Sequence, residues 1–156
     1  MSRRRRAEKT KTGVDPRYES ELVARFVNYV MRKGKKTTAQ NIVYGAMDVI
    51  AEKTEQDALE VLTRAVDNVK PKVEVKSRRV GGATYQVPIE ISRDRQMALA
   101  MRWLIMFSTG RKGMPMKRAL AIELMDAFGN QGNAIKRRDD THKMAQANRA
   151  FAHYRW

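Results

Sequence analysis

Apolar residues recur along most of this chain with a period near 3.6, and in one stretch the period drops to two. Over residues 19–33 the stripe is Leu22, Val23, Phe26, Val27, Val30 and Met31, which predicts a first helix. Gly34 is expected to end it, with Arg32 and Lys33 favourably placed at its carbonyl end. A second helix is predicted from an N-cap at Thr37 or Thr38, burying Ala39, Ile42, Val43, Ala46, Met47 and Ile50. The third is predicted to start at Thr54, with Asp57 three residues on, to bury Leu59, Leu62, Val66 and Val69, and to stop at Pro71. Ser92 is placed to cap a fourth, carrying Met97, Met101, Leu104, Ile105 and Phe107 as far as Gly110. A fifth opens at Pro115, turns Leu120, Leu124, Ala127 and Phe128 inward and stops at Gly129. The last, over residues 133–156, is polar and only weakly amphipathic.

Between the third and fourth helices the alternation is that of strands. Val73 and Val75 alternate with Glu74 and Lys76, and Tyr85, Val87, Ile89 and Ile91 alternate with Gln86, Pro88 and Glu90. The seven residues Ser77-Arg78-Arg79-Val80-Gly81-Gly82-Ala83 are read as the reversal, since the glycines tolerate positive φ. Arms of six or seven residues, at ~3.3 Å each, give a finger of about 20 Å over residues 72–91. The expected fold is therefore mainly α, in a single domain spanning 1–156. It is a six-helix bundle with a protruding two-stranded β-hairpin and a basic N-terminal arm over 1–17. Met47, Met97, Met101 and Met125 stand among apolar neighbours at helical spacing and are read as core filling.

Charge sharpens this picture. The 156 residues carry a formal net charge of +15, which predicts attraction to a polyanion. The cations are clustered. Residues 1–12 hold six of them and one acid; Arg32, Lys33, Lys35 and Lys36 flank the first turn. Lys70, Lys72, Lys76, Arg78 and Arg79 run up the hairpin, and Arg111, Lys112, Lys117 and Arg118 surround the fourth connection. Asp48, Glu52, Glu55, Asp57 and Glu60 instead gather on one short stretch, expected to be an outward acidic face. Separation of sign on this scale points to a binding face; solubility alone favours interspersed charges.

Other chemistry is thinly represented. No cysteine is present, which excludes disulfides and thiolate metal sites, and no metal or cofactor is expected. His142 and His153 are eleven residues apart and make no one-turn ligand pair, and no serine lies in a nucleophile motif. Gly34-Lys35-Lys36-Thr37 lacks the strand before it and the glycine spacing of a phosphate loop. No apolar run reaches the ~20 residues of a membrane span and no secretory signal opens the chain, so a soluble cytoplasmic protein without catalytic activity is expected. Near the end, Arg149, Phe151, His153, Tyr154, Arg155 and Trp156 interleave rings and cations. That pattern suits stacking on bases and equally suits a helix end anchored back on the bundle.

The sequence resembles the S-seven family of small-subunit ribosomal proteins, in its bacterial form, over nearly its whole length. The most specific segments are residues 28–44 with Gly34-Lys35-Lys36, Asn68-Val69-Lys70-Pro71, residues 75–82, Tyr85-Gln86-Val87-Pro88, residues 98–103 and residues 144–156. The resemblance implies a helical bundle with a hairpin arm and a role as a primary binder of small-subunit ribosomal RNA that nucleates assembly of the subunit head. It places the hairpin and the C-terminal helix near the exit-site transfer RNA and the messenger path.

Charge and resemblance together assign a set of ribosomal-RNA contacts. They comprise Arg3, Arg4, Arg5, Arg6, Lys9 and Lys11 in the arm, Arg32, Lys35 and Lys36 at the first turn, and Lys72, Lys76, Arg78 and Arg79 in the hairpin. Arg95, Arg102, Arg111, Lys112, Lys117 and Arg118 complete them, although residues 108–114 form a variable stretch in the family. Arg79, Val80, Gly81 and Gly82, with Lys143, Arg149, Tyr154, Arg155 and Trp156, are the residues expected near transfer and messenger RNA. Further expected partners are neighbouring proteins of the small subunit, with the chain a monomer in the particle. Two other classes remain open: an architectural DNA-binding protein using its arm in a groove, and an RNA-modifying enzyme.

Overall fold

The computed structural model describes residues 13–154. The expected arm residues Arg3 to Arg6, Lys9 and Lys11, and the terminal Arg155 and Trp156, lie outside them. In chain order the elements are α1 (Glu21–Val30), α2 (Lys36–Thr54), α3 (Ala58–Val69), β1 (Val73–Val80), β2 (Ala83–Glu90), α4 (Arg93–Gly110), α5 (Met116–Phe128), α6 (Gly132–Ala147) and a 3-10 helix (Arg149–Tyr154). The expected six-helix bundle with a β-hairpin is what the chain forms.

The helical stripes become the core. Val23, Phe26, Val27 and Val30 of α1 meet Ala39, Val43, Ala46, Met47 and Ile50 of α2, and Leu62, Val66 and Val69 of α3 extend the same core between α2 and α5. Each large side chain so buried contributes roughly 1.5–3 kcal/mol. Met47 and Met101 are fully buried, and Met97 and Met125 pack against the core at its edge, which bears out the reading of those four as filling. The centre is α5, which touches α2, α3, α4 and α6. Its small residues Ala119, Ala121 and Ala127 are buried beside Leu120 and Leu124, so neighbouring helices approach it on several sides. Trp103 and Leu99 join the α4 stripe, beyond the residues the sequence picked out.

Several helix ends differ from expectation, for identifiable reasons. α1 stops at Val30 because Met31 turns extended, and Lys33 as well as Gly34 then take positive φ to reverse the chain. Arg32 and Lys33 therefore sit in a turn, beyond the carbonyl end of α1. Lys35, not a threonine, is the N-cap of α2, and it makes no side-chain cap. Thr54 closes α2, its hydroxyl donating to the Ile50 carbonyl at 2.7 Å, and Glu55 follows in the left-handed region. Asp57 itself caps α3 by accepting from the Leu59 N–H at 3.0 Å, a contact typically worth about 1 kcal/mol. Gly129 keeps a negative φ after α5, and the left-handed residue is Asn130. The expected single C-terminal helix breaks at Asn148 into α6 and the 3-10 helix.

The hairpin is longer and tighter than the sequence suggested. Its strands run eight residues each and pair from Val73↔Glu90 to Val80↔Ala83, leaving Gly81 and Gly82 alone at the turn. Their φ of 58° and 90° are what a two-residue hairpin turn of the right twist requires. Cross-strand partners share a face, so Glu74, Lys76, Arg78 and Val80 lie with Ile89, Val87, Tyr85 and Ala83. The apolar sets of the two strands thus fall on opposite faces. The β2 set wins burial: Val87 is fully buried, while Val73 and Val75 are half-exposed.

Candidate nucleic-acid interface

The base of the hairpin is fixed by three contacts from elements distant in sequence. The Lys72 N–H donates to His142 Nε2 of α6 at 3.0 Å. Glu74, with little exposed surface, lies 3.3 Å from both Lys76 Nζ and Arg95 Nη2, which ties β1 to the start of α4. Tyr85 sits against Phe151 and Tyr154 of the 3-10 helix, each ring centroid 5.2 Å away. Phe151 is thus anchored, but on the hairpin rather than back on the helical bundle as expected. Beyond Tyr85 the hairpin is exposed from Arg79 to Thr84, apart from half-buried Val80.

Arg78 and Arg79 are strand residues rather than turn residues, and they point to opposite faces. Arg78 shares its face with Tyr85 and is half-buried; Arg79 stands opposite Thr84 and is exposed. The pair does not act as one clamp. Lys143 and Arg149 are exposed on α6 and at the start of the 3-10 helix, and Tyr154 is half-buried.

A second basic region lies at the other end of the bundle. Arg32, Lys35 and Lys36 are all exposed around the α1–α2 turn, which the Lys35 N–H closes on the Arg32 carbonyl at 3.1 Å. Arg32 and Arg102 of α4 border one hollow with Ile105, Met106 and Thr109. Two helix starts here are unusual. α2 begins at Lys35 and Lys36, and α5 at Pro115 with Lys117 and Arg118 in its first turn; neither has an acid there or a side-chain cap. A cation at a helix N-terminus opposes the macrodipole by about 0.3–1 kcal/mol. Uncapped N–H groups ringed by cations are instead complementary to an external anion.

The remaining candidates are placed differently from one another. Lys117 lays its stem on Gly45 of α2, where any larger residue would press on it. Arg118 borders a separate hollow beside Glu52 and Lys53, on the acidic side. Lys112 is exposed in the α4–α5 connection.

Arg111 turns inward. Its guanidinium reaches Glu123 Oε2 at 2.8 Å and Asp126 Oδ2 at 2.6 Å, while Glu123 Oε1 accepts the Ala134 N–H at 3.2 Å. Glu123 is wholly buried, so this ion pair stitches the α4–α5 connection to α5 and α6. The hydrogen bond that Arg111 donates to Glu123, and after it the one to Asp126, raises the Arg111 pKa above its ordinary value. Sequence reading missed Glu123, although it stands three residues from Leu120 on the buried stripe, a position where a carboxylate needs a partner.

The acidic face is on the surface as expected: Asp48, Glu52, Glu55, Asp57 and Glu60 are all exposed. One of its charges is answered from the N-terminal side. Arg17 reaches Asp48 at 2.6 Å and lies over the rings of Tyr18 and Tyr44, 5.3 Å from each centroid. Buried Asp15 accepts from the Arg17 and Tyr18 N–H groups and from the Tyr44 hydroxyl. Asp15 and Arg17, expected to belong to the basic N-terminal arm, are thus moored to α2. Burial raises the hydroxyl pKa of both Tyr18 and Tyr44.

Among the described residues no group of side chains could hold a metal ion, and no helix is long and apolar enough to cross a membrane.

Comparison with known proteins identifies the family. The sequence model described as "Ribosomal protein S7p/S5e" matches residues 2–149. The chain is 60% identical to the small ribosomal subunit protein uS7 of Anaeromyxobacter sp. (strain K) over the full length of both. It is 57% identical to that of Sorangium cellulosum, again over the full length of both, and 60% identical to that of Thermotoga petrophila over 99% of each. With the family match running through all six α-helices and the hairpin, the chain belongs to the ribosomal protein S7p/S5e family.

Proposed function

We propose that this protein is a primary binder of small-subunit ribosomal RNA that nucleates assembly of the subunit head. It grips the RNA through two basic regions at opposite ends of its bundle. Family membership makes the chain a structural protein of the small ribosomal subunit and not an enzyme. The finer reading rests chiefly on one observation: α2 and α5 begin with cations where helices ordinarily carry acids. Such helix starts are destabilising alone and become favourable when a phosphate binds there. Arg32, Lys35, Lys36, Arg102 and Lys117 form the first phosphate-binding set. Lys72, Lys76 and Arg79 on the hairpin form the second; Arg3 to Arg6, Lys9 and Lys11 are proposed as further ribosomal-RNA contacts.

Arg111 has no place in either set, because its Nε and Nη2 donors are engaged by Glu123 and Asp126. Arg95 and Lys76 contribute less, since Glu74 answers part of the charge of each. The exposed tip at Arg79, Gly81 and Gly82, with Lys143 and Arg149, is the surface assigned to exit-site transfer RNA and messenger RNA.

The test is a binding isotherm against small-subunit ribosomal RNA and against duplex DNA, each over a range of salt. With about eight phosphates neutralised, log K falls with log salt at a slope of several units. RNA is preferred over DNA at matched salt. Equal affinity for the two would favour the architectural DNA-binding class, and a salt-independent affinity would remove phosphate contact as the basis of binding.

A further inference from the structure

The first basic region contains an apolar cavity that phosphate binding does not use. It has a volume of about 330 Å³ and lies where the end of α1, the start of α2, the end of α4 and the start of α5 converge. Val30, Ile42, Ile105 and Met116 make its apolar lining, and Arg32 and Lys35 stand at its edge. The adjoining hollow shares Arg32, Ile105 and Thr109 and adds Arg102 and Met106. Met106 is half-exposed, at 50%, a large apolar side chain left at the surface beside two arginines. No acidic residue lines either space.

We propose that this cavity receives one unstacked base of the bound RNA, with the phosphates on either side held by Arg32, Lys35 and Arg102. The proposal rests on the RNA-binding reading above and adds to it where a base, as distinct from the backbone, is gripped. Phosphate contact alone calls for cations and hydrogen-bond donors and gains nothing from an apolar floor. An unstacked base brings a large, weakly hydrated face together with a negative charge on each side, and it matches both halves of this site. A side chain from a protein neighbour would fill the floor but leave three cations without counter-charges. The Thr109 hydroxyl donates to the Ile105 carbonyl at 2.8 Å, which leaves its oxygen as an acceptor for a base N–H at the cavity mouth.

The experiment fills the cavity and removes its cations separately, in the full-length protein. Thr109→Trp and Met116→Trp occupy the space; Arg102→Gln and Lys35→Gln remove charge. Each variant is checked for a native circular dichroism spectrum and thermal midpoint. Each is then titrated with small-subunit ribosomal RNA across a salt series. The filling variants are expected to lose roughly ten-fold or more in affinity, the scale of one base-stacking contact, with an unchanged salt slope. Each cation variant is expected to reduce the slope by about one.

Chemical probing of RNA bases supplies a second readout that needs no variant to fold: wild-type protein should shield one base that is reactive in the free RNA. Filling variants that bind as wild type at every salt, or wild-type protein that shields no base, would overturn the proposal. Unchanged affinity together with failure to enter the assembled subunit would overturn it in favour of a protein side chain as occupant. Should the cation variants also leave affinity and slope untouched, the RNA-binding reading of this end of the bundle fails with it. A reduced slope with normal filling variants rejects the base site alone.

Discussion

Tyr85, the third residue of β2, packs its ring against Phe151 of the 3-10 helix with centroids 5.2 Å apart. The hairpin is therefore not carried by its own strand pairing alone. It is propped from behind by the last segment of the chain, and the two surfaces assigned to transfer and messenger RNA are mechanically joined. An aromatic pair of this geometry is worth about 0.5–1.5 kcal/mol beyond the area it buries.

Phe151→Ala is expected to loosen the hairpin without unfolding the bundle, because the 3-10 helix contributes no buried residue to the core. Amide hydrogen exchange of β2 should accelerate, from Tyr85 outward, while α2, α3 and α5 keep their protection. Faster exchange throughout α5 would show that the C-terminal segment supports the core as well.

His142 gives the hairpin base a dependence on pH. Its Nε2 accepts the Lys72 N–H, so the ring must be neutral there, with its proton on Nδ1. Burial first, then the positive charges of Arg138 and Lys72, lower the His142 pKa; Asp139 opposes them only in part. In the unfolded chain the group titrates near ~6.5. Between the lowered folded value and ~6.5 the unfolded state binds more protons, so stability rises with pH. The contribution is fully present above ~6.5 and is lost as pH falls through the folded pKa. Thermal midpoints measured from pH 7.5 down to pH 5 should fall more steeply for the wild type than for His142→Gln, which has no proton to gain. Parallel curves would mean that the contact contributes nothing.

The Arg111–Glu123 pair predicts a separation of stability from RNA binding. Removing one partner of a buried ion pair typically costs ~3–5 kcal/mol, and Arg111→Ala belongs at the lower end because the guanidinium is partly exposed. The thermal midpoint should drop clearly while the salt slope of RNA binding stays as in the wild type. A slope reduced by about one, with stability intact, would return Arg111 to the phosphate contacts.

The contrast between Arg111 and Arg102 shows how far a sequence reading reaches. Periodicity exposed the helices, the core methionines and the strand alternation, because burial imposes the same spacing on every residue of a stripe. Clustering of charge located the basic turn around Arg32 and Lys35. What it could not supply was pairing across distance. Arg17 finds Asp48 and Lys72 finds His142 over 31 and 70 residues, and nothing local announces either contact. The helix ends at Val30 and Thr54 were obscured in another way. Lys33 and Glu55 adopt positive φ without being glycine, so the usual signal was absent at one end and displaced to Gly34 at the other. Hairpin register depended on a turn of two residues in place of seven. That difference decides which face Arg78 and Arg79 occupy, since side chains alternate along a strand.

The last prediction separates the root of the hairpin from its tip. Val87 is buried, Tyr85 meets the 3-10 helix, and Glu74 and Lys72 tie β1 to α4 and α6, so the lower half belongs to the folded body. Arg79 to Thr84 make no such contact with the core and are largely solvent-exposed. Joining Ser77 to Gln86 through a short glycine-containing turn would remove Tyr85 and its support. Replacing residues 79–84 by Asn-Gly keeps Arg78 opposite Tyr85 and preserves the root. This variant should fold with a thermal midpoint within a few degrees of wild type. It should lose Arg79 as a phosphate contact, and charge-assisted hydrogen bonds of that kind contribute ~1.5–3 kcal/mol each. In ribosomes carrying it, retention of deacylated transfer RNA or reading-frame maintenance should change, because the removed residues are those assigned to the exit site. Circular dichroism, an RNA isotherm and a frameshifting assay on the one variant check the three statements separately. An unfolded variant would place the tip in the core. A folded variant with undiminished affinity and normal frame maintenance would leave the exposed tip without a role in RNA contact.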